Sequence, residues 1–204
     1  MIQKNKEMVY DRKTRQRVDD LAVDILLVRL IISIAIIAAV FFIVAFGYTY
    51  LKTVLSEKQV ENDCNIIQSK IYTMLRSGVP RDVDEINAVE GTKRTCTFDL
   101  PDNIVYLAFG VDPDPDNDGY LETGLTMDGA VIFYRVDGGS KKVIWLNEDF
   151  KFREGKYDGT KWVVNGDGQG YIITGSGRQT LNFELVEKNH RIYVLIQAND
   201  GIES

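Results

Sequence analysis

LIISIAIIAAVFFIVAFGYTYL, residues 30–51, decides how the rest of the chain is read: 22 residues pass without one charged side chain. At about 1.5 Å per helical residue the run crosses a hydrocarbon core of roughly 30 Å, so the sequence predicts a transmembrane helix. Tyr48 and Tyr50 place aromatic rings at its far end, while Lys4, Lys6, Arg12, Lys13, Arg15 and Arg17 crowd the near end. Such a basic flank holds the N-terminus in the cytoplasm and exports the C-terminal remainder of the chain. The expected localisation is thus a plasma membrane, crossed once. A cleaved signal peptide is the rival reading, since Ala45-Phe46-Gly47 sets small residues just after the apolar core, but the run is long for one and its pattern continues as helix. The chain has no second apolar stretch of comparable length, which argues against a multi-pass transporter.

Inward of the run, VDDLAVDILLVRL carries Asp20, Asp24 and Arg29 on a pattern that is already helical. Asp24 and Arg29 read either as interfacial groups, with the arginine snorkelling to headgroups, or as a pair that assembly would bury. Charge divides the chain. Residues 1–17 hold six Lys/Arg against two acids, a basic cytoplasmic leader, whereas residues 52–204 carry 17 against 25 within an overall net charge of −6. An acidic body repels phosphate backbones, so nucleic acid is not an expected partner. The expected partners are the membrane, copies of this chain or other surface proteins, with no small-molecule substrate indicated.

Outward of the run no Pro or Gly interrupts the chain from Tyr48 until Gly78, and Val60, Cys64, Ile67, Ile71 and Met74 recur at spacings 4, 3, 4, 3. One helix over residues 18–76 is predicted, its half at 30–51 clad in lipid and its half at 52–76 amphipathic, stopped by Ser77-Gly78-Val79-Pro80. From Thr92 the texture changes to short β-branched and aromatic runs between Gly, Asp and Asn turns. Strands are expected at 94–100, 104–111, 130–136, 142–146, 161–164, 170–174, 179–186 and 191–197, with hairpin connections at 137–139 and 187–190. The fold class is therefore α+β: a long N-terminal helix followed by an antiparallel, sandwich-like β-domain over 77–204.

Cys64 lies on the helical stripe and Cys96 in the first long strand, so both point to one seam. In an oxidising exterior they are expected to join, closing a loop of about 33 residues; two buried thiols are the alternative. The most distinctive short motif is DPDPDNDGYLE, residues 112–122. Alternating carboxylates that converge where a glycine turns the loop suit Ca²⁺, and Asp112, Asp114, Asp116, Asp118 and Glu122 are the candidate ligands. Leu125 occupies the position where an EF-hand needs its bidentate Glu, and no helices flank the loop, so it is similar to calcium loops of extracellular modules rather than to an EF-hand. A solvated Asp/Pro turn is the plainer alternative. Calcium is the one cofactor suggested. No catalytic residues are indicated: His190 is the single imidazole and falls in a turn, and the glycines at 166–170 and 175–177 do not open helices that could hold a phosphate.

A basic leader, acids close to the start of an apolar run, a helix continuing into an amphipathic half and a C-terminal β-domain together resemble an archaeal type IV pilin-like protein. In that family a prepilin peptidase removes the leader, and an acid near the new terminus guides subunit packing. The resemblance assigns that role to Asp20 or Asp24 and implies a structural subunit of a cell-surface filament; an enzyme is not expected and stands only as a third reading. Around Arg15-Gln16-Arg17-Val18 the family's small residue at the processing point is missing. The alternative is an uncleaved single-pass anchor, similar to the sandwich proteins that act as archaellum stators or bind a surface layer.

Overall fold

The computed structural model describes residues 2–85, 87–122, 129–164 and 169–198, with side chains from residue 27 to 197 of these. Helix α1 runs Ile2–Ser77, 76 residues in one element. It begins well before the expected residue 18, because the leader holds no Pro or Gly and is rich in Lys, Arg, Gln and Glu, which lose little side-chain freedom in a helix. The chain divides into two compact units, Met1–Tyr50 and Leu51–Ser204.

In the first unit every described side chain, 27 to 50, is exposed, and the apolar window has a mean hydropathy of 3.0. This is a helix long and apolar enough to cross a membrane. Its few polar groups turn back on the backbone: Ser33 Oγ donates to the Arg29 carbonyl at 2.9 Å and Thr49 Oγ1 to that of Phe46 at 2.9 Å. A hydroxyl satisfied within its own helix needs no water.

Among the described residues, the second unit joins the rest of α1 to ten strands: β1 (Arg81–Asp82), β2 (Lys93–Leu100), β3 (Ile104–Phe109), β4 (Val131–Val136), β5 (Lys142–Trp145), β6 (Lys151–Tyr157), β7 (Trp162–Val164), β8 (Tyr171–Ile173), β9 (Gly177–Lys188) and β10 (Arg191–Ala198). All eight expected strands are present, and β1 and β6 are additional. One sheet has the order β1-β9-β10-β6-β7, with β2 also on β9; the other is β5-β4-β3-β8. The smaller sheet is antiparallel throughout. The larger is mixed, which corrects the all-antiparallel expectation: β1 runs parallel to β9, and β6 parallel to β10. The β9–β10 hairpin turns on Asn189 and His190, at φ 51° and 60°. Two left-handed residues between Lys188 and Arg191 make a type I′ turn, whose twist matches the strands it joins.

Val60, Cys64, Ile67, Ile71 and Met74 are all buried, as their spacing predicts. They share one cluster with Phe98 and Leu100 of β2, Leu107 and Phe109 of β3, Ile132 of β4, Phe152 of β6, Phe183 of β9 and Ile196 of β10. Phe109 meets Phe152 and Phe183 edge-on at centroid distances of 5.5 and 6.1 Å, contacts worth about 0.5–1.5 kcal/mol each beyond area burial. Polar side chains of α1 reach the outer edge of β2, where Lys70 Nζ donates to the Thr95 carbonyl at 2.8 Å and Gln59 Nε2 to that of Asp99. Two carbonyls of an eight-residue edge that would otherwise be offered to another chain are thereby taken up. The helix stops at Gly78, whose N–H donates to the Met74 carbonyl at 2.8 Å. A Cβ there would stand 2.3 Å from the same oxygen, so no other residue fits.

Candidate functional site: an acidic loop and its cations

Strand β3 buries both faces. Leu107 and Phe109 enter the main core, while Tyr106 and Ala108 form a smaller cluster with Val111, Val131 and Phe133. Over that second face lies the loop between β3 and β4, and charge clamps it there. Arg135 of β4 donates to Asp114 Oδ2 at 2.8 Å, and Lys141, just before β5, donates to Asp112 Oδ2 at 2.8 Å and to the Asp114 carbonyl at 2.7 Å. Asp114 is fully buried and Asp112 nearly so. A buried carboxylate needs such partners, because leaving it unpaired costs several kcal/mol.

The loop winds through successive side-chain-to-backbone bonds. Asp112 Oδ1 accepts from Asp114 N–H at 3.1 Å, Asp116 Oδ1 from Asp118 N–H at 3.3 Å, and Asp118 Oδ1 from Tyr120 N–H at 2.8 Å. Asp114 Oδ1 accepts from Gly119 N–H at 3.3 Å. Asn117 and Gly119 take left-handed backbone, φ 60° and 89°, which lets the chain coil around its own carboxylates. Asp114, Asp116 and Asp118 each bring one oxygen to within 4.8 Å of the others. The other two expected ligands stand apart from that group. Asp112 is turned to Lys141, and Glu122 joins the loop by its backbone, its N–H donating to the Pro113 carbonyl at 2.7 Å. Leu125 lies outside the described residues.

Cys64 and Cys96 are both buried and both free thiols, so the expected disulfide is not formed in this structure. Their surroundings differ. Lys70 reaches both Cys96 and the neighbouring Thr95 carbonyl, which sets Cys96 beside the turn around Ile67 to Lys70. Cys64 lies about a turn earlier, where burial first and then Asp63 and Glu61 push its thiol up to about 12. Burial also raises Cys96, against the pull of Lys70. Burial thus disfavours the thiolate, the nucleophilic form, at both positions. The side chains of Asp20 and Asp24 lie outside the described residues, and Arg29 is exposed.

A second polar centre is not foreshadowed by any sequence motif. Arg81 of β1 donates from Nε to Glu184 Oε1 at 2.7 Å and from Nη2 to the Trp162 carbonyl at 2.6 Å. Glu184 also accepts from Gln197 at 2.8 Å and from Gly91 N–H at 3.2 Å. Both charged side chains are at most 4% exposed. The network ties β1, β7, β9 and β10 together, a structural role. One signal was available: Glu184 interrupts the apolar run Phe183, Leu185, Val186, and an acid there must find a cation.

These features define a class: a β-domain whose core helix also carries a bare apolar segment long enough for a membrane. Comparison with known protein families, curated proteins and solved structures finds no match for this chain.

Proposed function

We propose that the chain is a membrane-inserted, type IV pilin-like structural subunit of a cell-surface filament, its N-terminus cytoplasmic and its β-domain outside. The observation that carries this reading is the single helix Ile2–Ser77. One stretch of it is apolar and uncovered, and another supplies the stripe on which the β-domain closes. A subunit that moves from lipid into a filament needs such a helix, because the same apolar surface can be covered by lipid or by copies of itself. Asp20 or Asp24 supplies the charge for packing at its inner end.

The second reading is an uncleaved anchor that presents the β-domain to a surface partner. It is favoured by the unbroken helix through Arg15-Gln16-Arg17-Val18, which has no small residue for a peptidase. Mass spectrometry of the native protein separates the two. A mature terminus between residues 18 and 22, with the chain present in sheared surface filaments, supports the subunit; an intact N-terminus and no filament fraction supports the anchor. Asp24→Asn keeps size and removes charge, and is expected to insert normally yet to be lost from the filament fraction.

A further inference from the structure

One ion pair of the β-domain is held as a reacting pair would be. Lys141 Nζ stands 2.8 Å from Asp112 Oδ2, and the two side chains are only 15% and 13% exposed. Other lysine–carboxylate pairs are more open: Lys58 and Lys93 are 67% and 38% exposed, and Lys142, one residue on, keeps 3.6 Å from Glu57. The main chain of Asp114 fixes both partners. Its N–H donates to Asp112 Oδ1 at 3.1 Å, and its carbonyl accepts from Lys141 Nζ at 2.7 Å. Asp114 is itself fully buried and tied to β4 by Arg135. Val111, adjacent to Asp112, belongs to the small apolar cluster with Tyr106, Ala108, Val131 and Phe133.

An amine and a carboxyl group fixed in contact react as parts of one molecule, with effective molarities of about 10⁵–10⁸ M in well-oriented cases. Burial keeps away the bulk water that would reverse the reaction. We propose that Lys141 and Asp112 condense to an intramolecular amide, which fastens the loop after β3 to the residue before β5. A proton passes from Nζ to Oδ2, leaving an amine against a carboxylic acid. Nζ then adds to Cγ, and the charge that develops on Oδ1 is stabilised by the N–H of Asp114, already in place at 3.1 Å. The Cγ–Oδ2 bond breaks, and Oδ2 departs as water with a second proton from Nζ; the third stays on the amide nitrogen. Ammonium and carboxylate thus give amide and water, with no other reactant. The bond joins positions 29 residues apart and closes a ring that contains β4.

The cross-link is separate from the membrane role, and its failure would leave that reading untouched. The test is peptide mass spectrometry of the full chain, purified folded in detergent, then denatured and cut with trypsin. Arg135 is the single tryptic position between residues 95 and 140, so cleavage there and at Lys141 separates 95–135 from 136–141. In the cross-linked chain Lys141 is acylated and no longer cut. The expected result is one branched species, 95–135 joined to 136–142, lighter than its two parts by one water. Lys141→Arg keeps the ion pair but removes the amine, and should abolish the joined species; Lys142→Arg should retain it. Recovery of 95–135 and 136–141 from the parent chain as separate peptides of full mass overturns the proposal, leaving an ion pair alone. So does a loss of water that persists in Lys141→Arg, which marks an imide at an Asp-Gly step such as Asp118-Gly119.

Discussion

Two stretches of one helix answer opposite solvents. From 27 to 50 every side chain of α1 is exposed, and apolar residues surround the axis; from 60 to 74 the apolar residues are confined to one stripe and are buried. Ile37 is 56% exposed and Ile71 not at all, although both are isoleucines in the same element. The difference teaches that helix formation says little about environment, whereas angular distribution of apolar side chains says a great deal. An all-round apolar surface needs lipid or other helices, and a stripe needs one packed neighbour.

The sharpest way to break this comparison is to shorten side chains on the stripe. Ile71→Ala is expected to destabilise the β-domain by about 2–5 kcal/mol, since it opens a cavity among both sheets and the helix. Ile66→Ala, on the exposed side at 55%, should stay within about 0.5 kcal/mol. Denaturant unfolding of both variants in detergent checks the contrast. Next comes charge in the apolar stretch: Ile37→Lys should cost membrane insertion about 2.5–3.5 kcal/mol, read as a loss of the integrated fraction, while leaving β-domain unfolding unchanged.

Smaller effects sharpen the account of the packed half. Lys70→Met keeps the apolar stem and removes the bond to the Thr95 carbonyl, which should cost about 0.5–1.5 kcal/mol and increase self-association through the freed β2 edge, visible in sedimentation. The smallest effect is at Asp63, whose pKa is raised from 3.8 by burial and then by Asp99. The folded state therefore holds this proton more tightly than the unfolded state does. The penalty for ionising Asp63 is fully present above the raised value and disappears as pH falls below the unfolded one. Asp63→Asn should raise Tm at pH 7 by about 1–2 °C, screened by solvent, and should leave it unchanged near pH 3.

How much of this was legible depended on the range of the interaction. The stripe from Val60 to Met74 could be read because its periodicity is local, and β3, β4 and β10 because short β-branched and aromatic runs announce strands. Strand β6 carries no such mark: in KFREGKY, charges occupy four of seven places, yet Phe152 enters the core. Two-residue β1 has no pattern at all, and the parallel pairings are made between segments far apart in sequence. The acidic loop divides the same way. Spacing alone brought Asp114, Asp116 and Asp118 together, but Lys141, which claims Asp112, lies 29 residues away and nothing nearby announces it. The two cysteines were legible as residues of one shared core, where both lie buried as free thiols.

The central proposal is that α1 crosses the membrane once, with the leader inside and the β-domain outside. Both native thiols are buried, so single introduced cysteines report cleanly on topology. Asn5→Cys marks the leader and Ser140→Cys an exposed turn of the β-domain. Treated on intact cells with a membrane-impermeant maleimide, Ser140→Cys should label at once and Asn5→Cys only after permeabilisation. Labelling of Asn5→Cys on intact cells, or protection of Ser140→Cys until lysis, would contradict the account.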